Sequence, residues 1–178
     1  MLQTQEASVM PLFAANDVLN QLAAITADTK VGALRAQRPE VARYAEGSYY
    51  ALFTPDDWGN VSAIDRDLIA LRVASLTQSD PLITWHQDRL RHAGVAEAVL
   101  TAAQNNPLSA QLSPRQQALL SHVDRLTNGP VTATAAHIAE LCALDLTPRD
   151  IVVISQLTAF LSFQLRTLVG LRLLAEEE

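Results

Sequence analysis

Cysteine is almost missing from this chain. Cys142 is the only one in 178 residues, so an intrachain disulfide, a cysteine-rich metal site and dithiol chemistry within one chain are all excluded. Lysine is as scarce: Lys30 stands alone among 13 basic residues, against 19 acidic ones. The formal charge of −6 leaves no basic face dense enough to track phosphates, so no nucleic acid is expected as a partner, and an anionic membrane surface is disfavoured for the same reason. Four scattered histidines, without an H-E-x-x-H or comparable spacing, raise no expectation of a zinc or iron site, and no cofactor is expected.

Long apolar runs are also few. The first residues, MLQTQEASVMPLFAAND, have no basic stretch followed by an apolar one and do not read as a secretory signal. The longest apolar stretch, Ile151 to Phe163, is interrupted by Ser155, Gln156, Thr158 and Ser162 and falls short of the roughly 20 residues that span a bilayer. A soluble cytoplasmic protein is therefore expected. Strictly alternating β-branched runs are absent too, which points to an all-α class.

What is present is enough for one core. At 49% hydrophobic, residues 17–178 suffice for a single helical domain, with residues 1–16 as a loose N-terminal arm. Asn16 or Asp17 caps a short helix ending near Ile25. A turn or short helix precedes Pro39, and PEVARYAEGSYYALF follows it as a helix with proline in its first turn. TPDDWGN, residues 54–60, reads as a loop. Ser62 with Asp65 approximates a capping box for Ala63 to Leu76, and Asp80 caps a helix that begins at Pro81 and stops at Gly94. Further helices are expected from Ala96 to about Asn105, from Ser113-Pro114 to Thr127, and from Thr132 or Thr134 to about Leu144. The last helix runs from Arg149 to about Leu174, with apolar residues all round it, so it is expected to be central or buried between subunits of a homo-oligomer.

Two stretches look like copies of one unit. RVASLT at Arg72 to Thr77 matches VDRLT at Val123 to Thr127 in its VxxLT skeleton, and His86 followed by Leu90 matches His137 followed by Leu141. Such a repeat would pack as two related αα-hairpins around a shared core.

Val73 to Val95, VASLTQSDPLITWHQDRLRHAGV, carries the most specific signal. It resembles the core motif of the carboxymuconolactone decarboxylase and AhpD-like alkylhydroperoxidase superfamily, in which an acid, a C-x-x-C pair and a histidine form one relay. Laid on that motif, Asp67 falls at the acid, Ser79 and Leu82 at the two cysteines, and His86 at the histidine. The resemblance extends from about Arg35 to Leu173, including RPEVARYAEGSYYALF, SPRQQALLSHVDRLT and FLSFQLR. It implies an AhpD-like helical fold with an internal repeat, assembled into dimers, trimers or hexamers, and a peroxidase-related partner protein for a member without the cysteine pair. Serine lacks the acidity and the sulfenic state of a thiol, and leucine resolves nothing, so thiol peroxidase activity is not expected.

Two functions follow from the resemblance. One is a degenerate, non-thiol member kept as a structural or partner subunit; the other is an acid/base enzyme of decarboxylase or lactone type on a small organic acid. His86, Asp67 and Ser79 are the candidate catalytic residues, set against plainer roles: a backbone-bonded histidine in a packing seam, an acid complementing a helix dipole, a turn serine. Arg72, Tyr49 and Trp85 are the candidate substrate-binding residues, with Trp58, Tyr44 and Tyr50 as further pocket aromatics. Arg72 and Arg166, each within an apolar helical run, call for carboxylate or carbonyl partners. Cys142 reads as a small buried hydrophobe.

Overall fold

A computed structural model describes residues 17–176; the expected arm at 1–16 lies outside the described residues. Among them are nine α-helices, one 3₁₀ turn (Pro130–Thr132) and no strand, so the class is all-α. The helices are α1 (Val18–Ala23), α2 (Lys30–Ala36), α3 (Pro39–Phe53), α4 (Ala63–Leu76), α5 (Asp80–His92), α6 (Glu97–Gln104), α7 (Pro114–Asn128), α8 (Ala135–Cys142) and α9 (Pro148–Glu176).

Local chemistry explains most of the boundaries. Asp17 starts α1 by accepting from the Asn20 N–H at 2.9 Å. Ser62 and Asp65 close a reciprocal box on α4, with Asp65 N–H donating to Ser62 Oγ at 3.1 Å and Ser62 N–H to Asp65 Oδ2 at 3.0 Å. Ser113 with Gln116 does the same for α7, and Thr147 with Asp150 for α9. Each box satisfies two otherwise orphaned donors, and losing its cap costs about 1 kcal/mol.

The start of α5 differs from the expected one. Asp80 is already helical, and Ser79 stands at the cap position without a side-chain cap hydrogen bond. The cause is the turn before it. The chain leaves α4 through Gln78 in the left-handed region, φ 54°. Ser79 N–H closes back on Ala74 O at 2.9 Å and Gln78 N–H on Ser75 O at 3.2 Å, the paired bonds that end a helix tightly. That closure sets the entry to α5 before any side chain acts.

The centre is built from α4 and α9. Every residue from Asp65 to Ala74 of α4 is buried, and the helix lies among α5, α6, α7 and α9. Leu68, Ile69, Leu71 and Val73 are 0–1% exposed, each worth at most roughly 1.5–3 kcal/mol on burial. Helix α9 crosses α1, α2, α3, α4, α7 and α8, with Ile154, Leu157, Leu161, Gln164 and Leu168 turned inward. The central position expected of this helix is found, and so, within two residues at each end, is its extent; what changes is the judgement on spanning length, since the 29 residues of α9, unlike Ile151 to Phe163 alone, are long and apolar enough to cross a membrane by length and composition.

Arg72 locks the centre to α7. It is fully buried; its Nε and Nη2 donate to the two oxygens of Asp124 at 2.6 and 2.7 Å, and Nη1 donates to the carbonyls of Ala103 and Asn105 at 3.2 and 2.7 Å. Both chemistries expected of its partners occur, within one chain. Arg166 departs from expectation: it is exposed on the outer face of α9, so no partner is required. Cys142 is likewise exposed rather than buried, because Leu141 takes the inward position at the end of the short α8.

Candidate functional site

The α4–α5 hairpin brings together two of the sequence's candidates. Asp67, fifth residue of α4, and His86, in the middle of α5, meet with His86 Nδ1 at 2.9 Å from Asp67 Oδ1. Arg89, one turn beyond His86, donates through Nε to the same oxygen at 2.8 Å. The partner of His86 is thus a carboxylate rather than the backbone carbonyl expected of a seam histidine. Asp67 lies beyond the first turn of α4, where Asp65 sits, so its role exceeds a complement to the helix dipole.

The surroundings determine the charge states. Burial alone would raise the Asp67 pKa, but the hydrogen bonds from His86 and Arg89 outweigh it and hold the carboxyl below its ordinary 3.8. Burial is also the largest influence on His86, and here it wins over the Asp67 hydrogen bond, holding the imidazole below 6.5. Arg89 loses by burial and gains more from Asp67, so it is held more firmly protonated. At neutral pH the site is therefore a carboxylate, a neutral imidazole and a guanidinium. A neutral imidazole that donates from Nδ1 to a carboxylate carries its lone pair on Nε2.

That lone pair is enclosed. His86 is 0% exposed and Nε2 has no hydrogen-bond partner. Phe53 of α3 stacks on the imidazole at 5.4 Å between centroids and 23° between planes, and Tyr49 stacks on Phe53 at 4.7 Å and 25°. The Arg89 guanidinium lies 5.7 Å from the Phe53 centroid, within cation–π range. Burial pushes the Tyr49 hydroxyl above its usual pKa, against the opposing charge of Arg89. The Tyr49 hydroxyl, Trp85 Nε1 and both Gln164 amide atoms are buried without hydrogen-bond partners.

Ser79 lies elsewhere. It faces an open cleft of about 600 Å³ between α1, α5 and α9, lined also by Asp80, Trp85, Leu168 and Arg172, but not by Asp67 or His86. His86 lies seven positions after Ser79 along α5, a rise of roughly 10 Å. A nucleophile–base hydrogen bond needs about 3 Å, so Ser79, His86 and Asp67 do not assemble as a triad. Leu82, one turn before His86, is 1% exposed and packs with Ala74 and Leu168.

The remaining candidates divide. Tyr49 and Trp85 lie near the site, Tyr49 buried and Trp85 between it and the cleft. Arg72 does not join them, being held by Asp124. Tyr44 and Tyr50 are exposed, and Trp58 packs under the Arg66 guanidinium at 5.3 Å. Arg89 and Phe53 escaped sequence reasoning. Arg89 carried a signal, since it lies three residues beyond His86 on one helix face; Phe53 carried none, because only packing sets its ring on the imidazole.

Comparison with known proteins bears on the fold. No family model matches the chain, and no curated protein matches it significantly. Solved structures do. One is an uncharacterized peroxidase-related protein from Ralstonia eutropha JMP134, described as an alkylhydroperoxidase AhpD core, with a TM-score of 0.68, 24% identity and coverage of 90% of this chain and 86% of that one. The chain has the AhpD-like fold. An uncharacterized peroxidase-related protein from Silicibacter sp. TM1040 is similar to it at a TM-score of 0.68 and 18% identity, covering 96% and 91% of the two chains. On this AhpD-like framework the two histidines that the sequence pattern pairs are not equivalent. His86 is the seventh residue of α5, whereas His137 is the third of α8, where its Nδ1 accepts from the Thr134 N–H at 3.2 Å as a cap.

Proposed function

We propose that this is a peroxidase-related, AhpD-like protein that works without thiol chemistry, as a structural or partner subunit in the aqueous cytoplasm. One observation carries the reading: Leu82, at the position where the resemblance puts the second cysteine, is packed into the core one turn from His86. Its side chain fills the space a resolving thiol would need. The Asp67–His86–Arg89 cluster then acts as a polar clamp between α4 and α5, and the net charge of −6 suits an aqueous location.

Peroxide consumption with a dithiol reductant tests this directly. Wild type is expected to match the buffer rate, and a Ser79→Cys/Leu82→Cys variant to gain measurable turnover; wild-type turnover at the rate of a competent thiol peroxidase would overturn the reading.

A second reading, an acid/base enzyme on a small organic acid or lactone, is favoured only by the 2.9 Å Asp67–His86 contact, which orients Nε2 as a base. It requires the site to open. Turnover of such a substrate that His86→Gln abolishes, while the folded signal persists, would select it over the first.

A further inference from the structure

The open cleft between α1, α5 and α9 has an apolar floor and charges of both signs. Leu165, Leu168 and Arg172 line it from one face of α9, set at the three- and four-residue steps of a helix stripe, and Asp80, Trp85 and Asp88 line it from α5. The α9 stripe is apolar until its last member. Trp85 adds carbon to the α5 side, because its indole nitrogen is buried.

Two of the charges are unused. Asp88 is drawn to Arg91 at 3.0 Å, whereas neither Asp80 nor Arg172 has a hydrogen-bonded or ion-paired side-chain partner among the described residues. They also stand at one end of the cleft. Phe160 of α9 lies 6.5 Å from Tyr49, which sits beside Trp85, while Leu168 packs in one cluster with Leu82. Helix α9 therefore runs against α5, and Arg172, one turn beyond Leu168, reaches the Ser79–Asp80 end.

Ser79 is the independent sign of a ligand. It is only 8% exposed, and its hydroxyl, which caps no N–H of α5, faces the cleft without a partner. The start of the 13-residue α5 sets the positive end of a helix dipole beside it. A hydroxyl held there donates to whatever enters.

These groups select one head group. A carboxylate suits the Arg172 guanidinium, the Ser79 hydroxyl and the helix start, whereas an ammonium suits Asp80, and the two side chains stand at the same end without pairing with each other. A simple anion would leave Asp80 opposed, and a simple amine would leave Arg172 opposed. An α-amino acid carries both charges on one carbon. From that end the floor of Leu168 and Leu165 extends along α9 toward Trp85, and the space of about 600 Å³ suits a large apolar side chain.

We propose that this cleft binds a free α-amino acid with a large apolar side chain, its carboxylate on Arg172 and Ser79, its ammonium on Asp80, and its side chain over Leu168 against Trp85. This goes beyond a structural or partner role. Ser79 acts in it only as a hydrogen-bond donor, so the binding stands whether or not peroxide is consumed.

Calorimetric titration of the full chain with L-tryptophan tests the proposal, with an expected Kd on the order of 0.1–1 mM for a ligand of this size. N-acetyl-L-tryptophan lacks the ammonium and L-tryptophanamide lacks the carboxylate, and each should bind at least about tenfold more weakly. Arg172→Gln should weaken L-tryptophan about tenfold and leave the amide unchanged, and Asp80→Asn should weaken it about tenfold and leave the N-acetyl derivative unchanged. Both residues are exposed, so helicity and melting midpoint should hold in both variants. If either variant unfolds, the ligand series on wild type decides. Three results would overturn the proposal: no saturation by L-tryptophan up to about 10 mM, blocked derivatives that bind as well as the parent, or folded variants that bind it as wild type does.

Discussion

The hairpin of α4 and α5 and that of α7 and α8 share an order of elements and differ in what they do with polar groups. In the first, His86 is 0% exposed and held to Asp67, which also takes Arg89. In the second, His137 is half-buried at the start of an eight-residue helix and caps it. Length is one physical reason for the contrast. The 13 residues of α5 carry His86 two turns down the flank of α4, whereas α8 ends after about two turns in all. His122 on α7 is the buried histidine of the second unit, but both its ring nitrogens lack partners. The similar sequence patterns of the two hairpins therefore do not carry the same polar cluster, which belongs to the first hairpin.

The contrast breaks most severely at Asp67. Asp67→Ala leaves the His86 N–H unpaired and Arg89 half-buried without its carboxylate, and should cost about 3 kcal/mol, the lower end for breaking a buried pair because Arg89 keeps some access to water. Urea denaturation measures it; a loss below about 1 kcal/mol would mean that the cluster does not hold the hairpin.

Acid sharpens the same comparison. The folded pKa of His86 lies below 6.5, so between that pKa and 6.5 the unfolded state binds more protons. The stability this provides is complete above pH 6.5 and is lost as pH falls toward the folded value, at up to about 1.4 kcal/mol per pH unit for one proton. His122, depressed by burial and then by the charges of Arg125 and His137, acts with the same sign. His86→Gln should therefore flatten, but not abolish, the decline of stability from pH 7 to 5. An unchanged slope would assign the whole acid response to His122 and the carboxylates.

The smallest effect belongs to the second hairpin. His137→Ala removes a cap interaction and should cost about 0.5–1 kcal/mol. A cost comparable to that of Asp67→Ala would show that the two histidines are closer in role than their surroundings suggest.

Much of this fold was legible because it is written locally. The Ser62–Asp65 box, Pro39 and Pro114 in first turns, and Gly94 with φ 77° after α5 are short-range chemistry, and the helices follow them. Asp67 and His86 were legible as candidates through the motif they resemble. Arg72 illustrates the limit: its apolar neighbours announced that it needed a partner, yet Asp124 lies 52 residues away and only packing chooses it. The exposure of Cys142 and Arg166 was illegible for a related reason, since a residue on an apolar helix faces whichever side its neighbours leave open.

The sequence by itself determined the helical class, most of the helix ends and the impossibility of an intrachain disulfide, because these depend on neighbouring residues and on a count. Tertiary structure alone decided that His86 is enclosed while Ser79 faces a cleft, that Leu82 is core, and that α9 is buried along one side and bare along the other. Those outcomes depend on which distant surfaces meet, and burial together with the hydrogen bonds it encloses then sets the protonation and reach of the groups at the site.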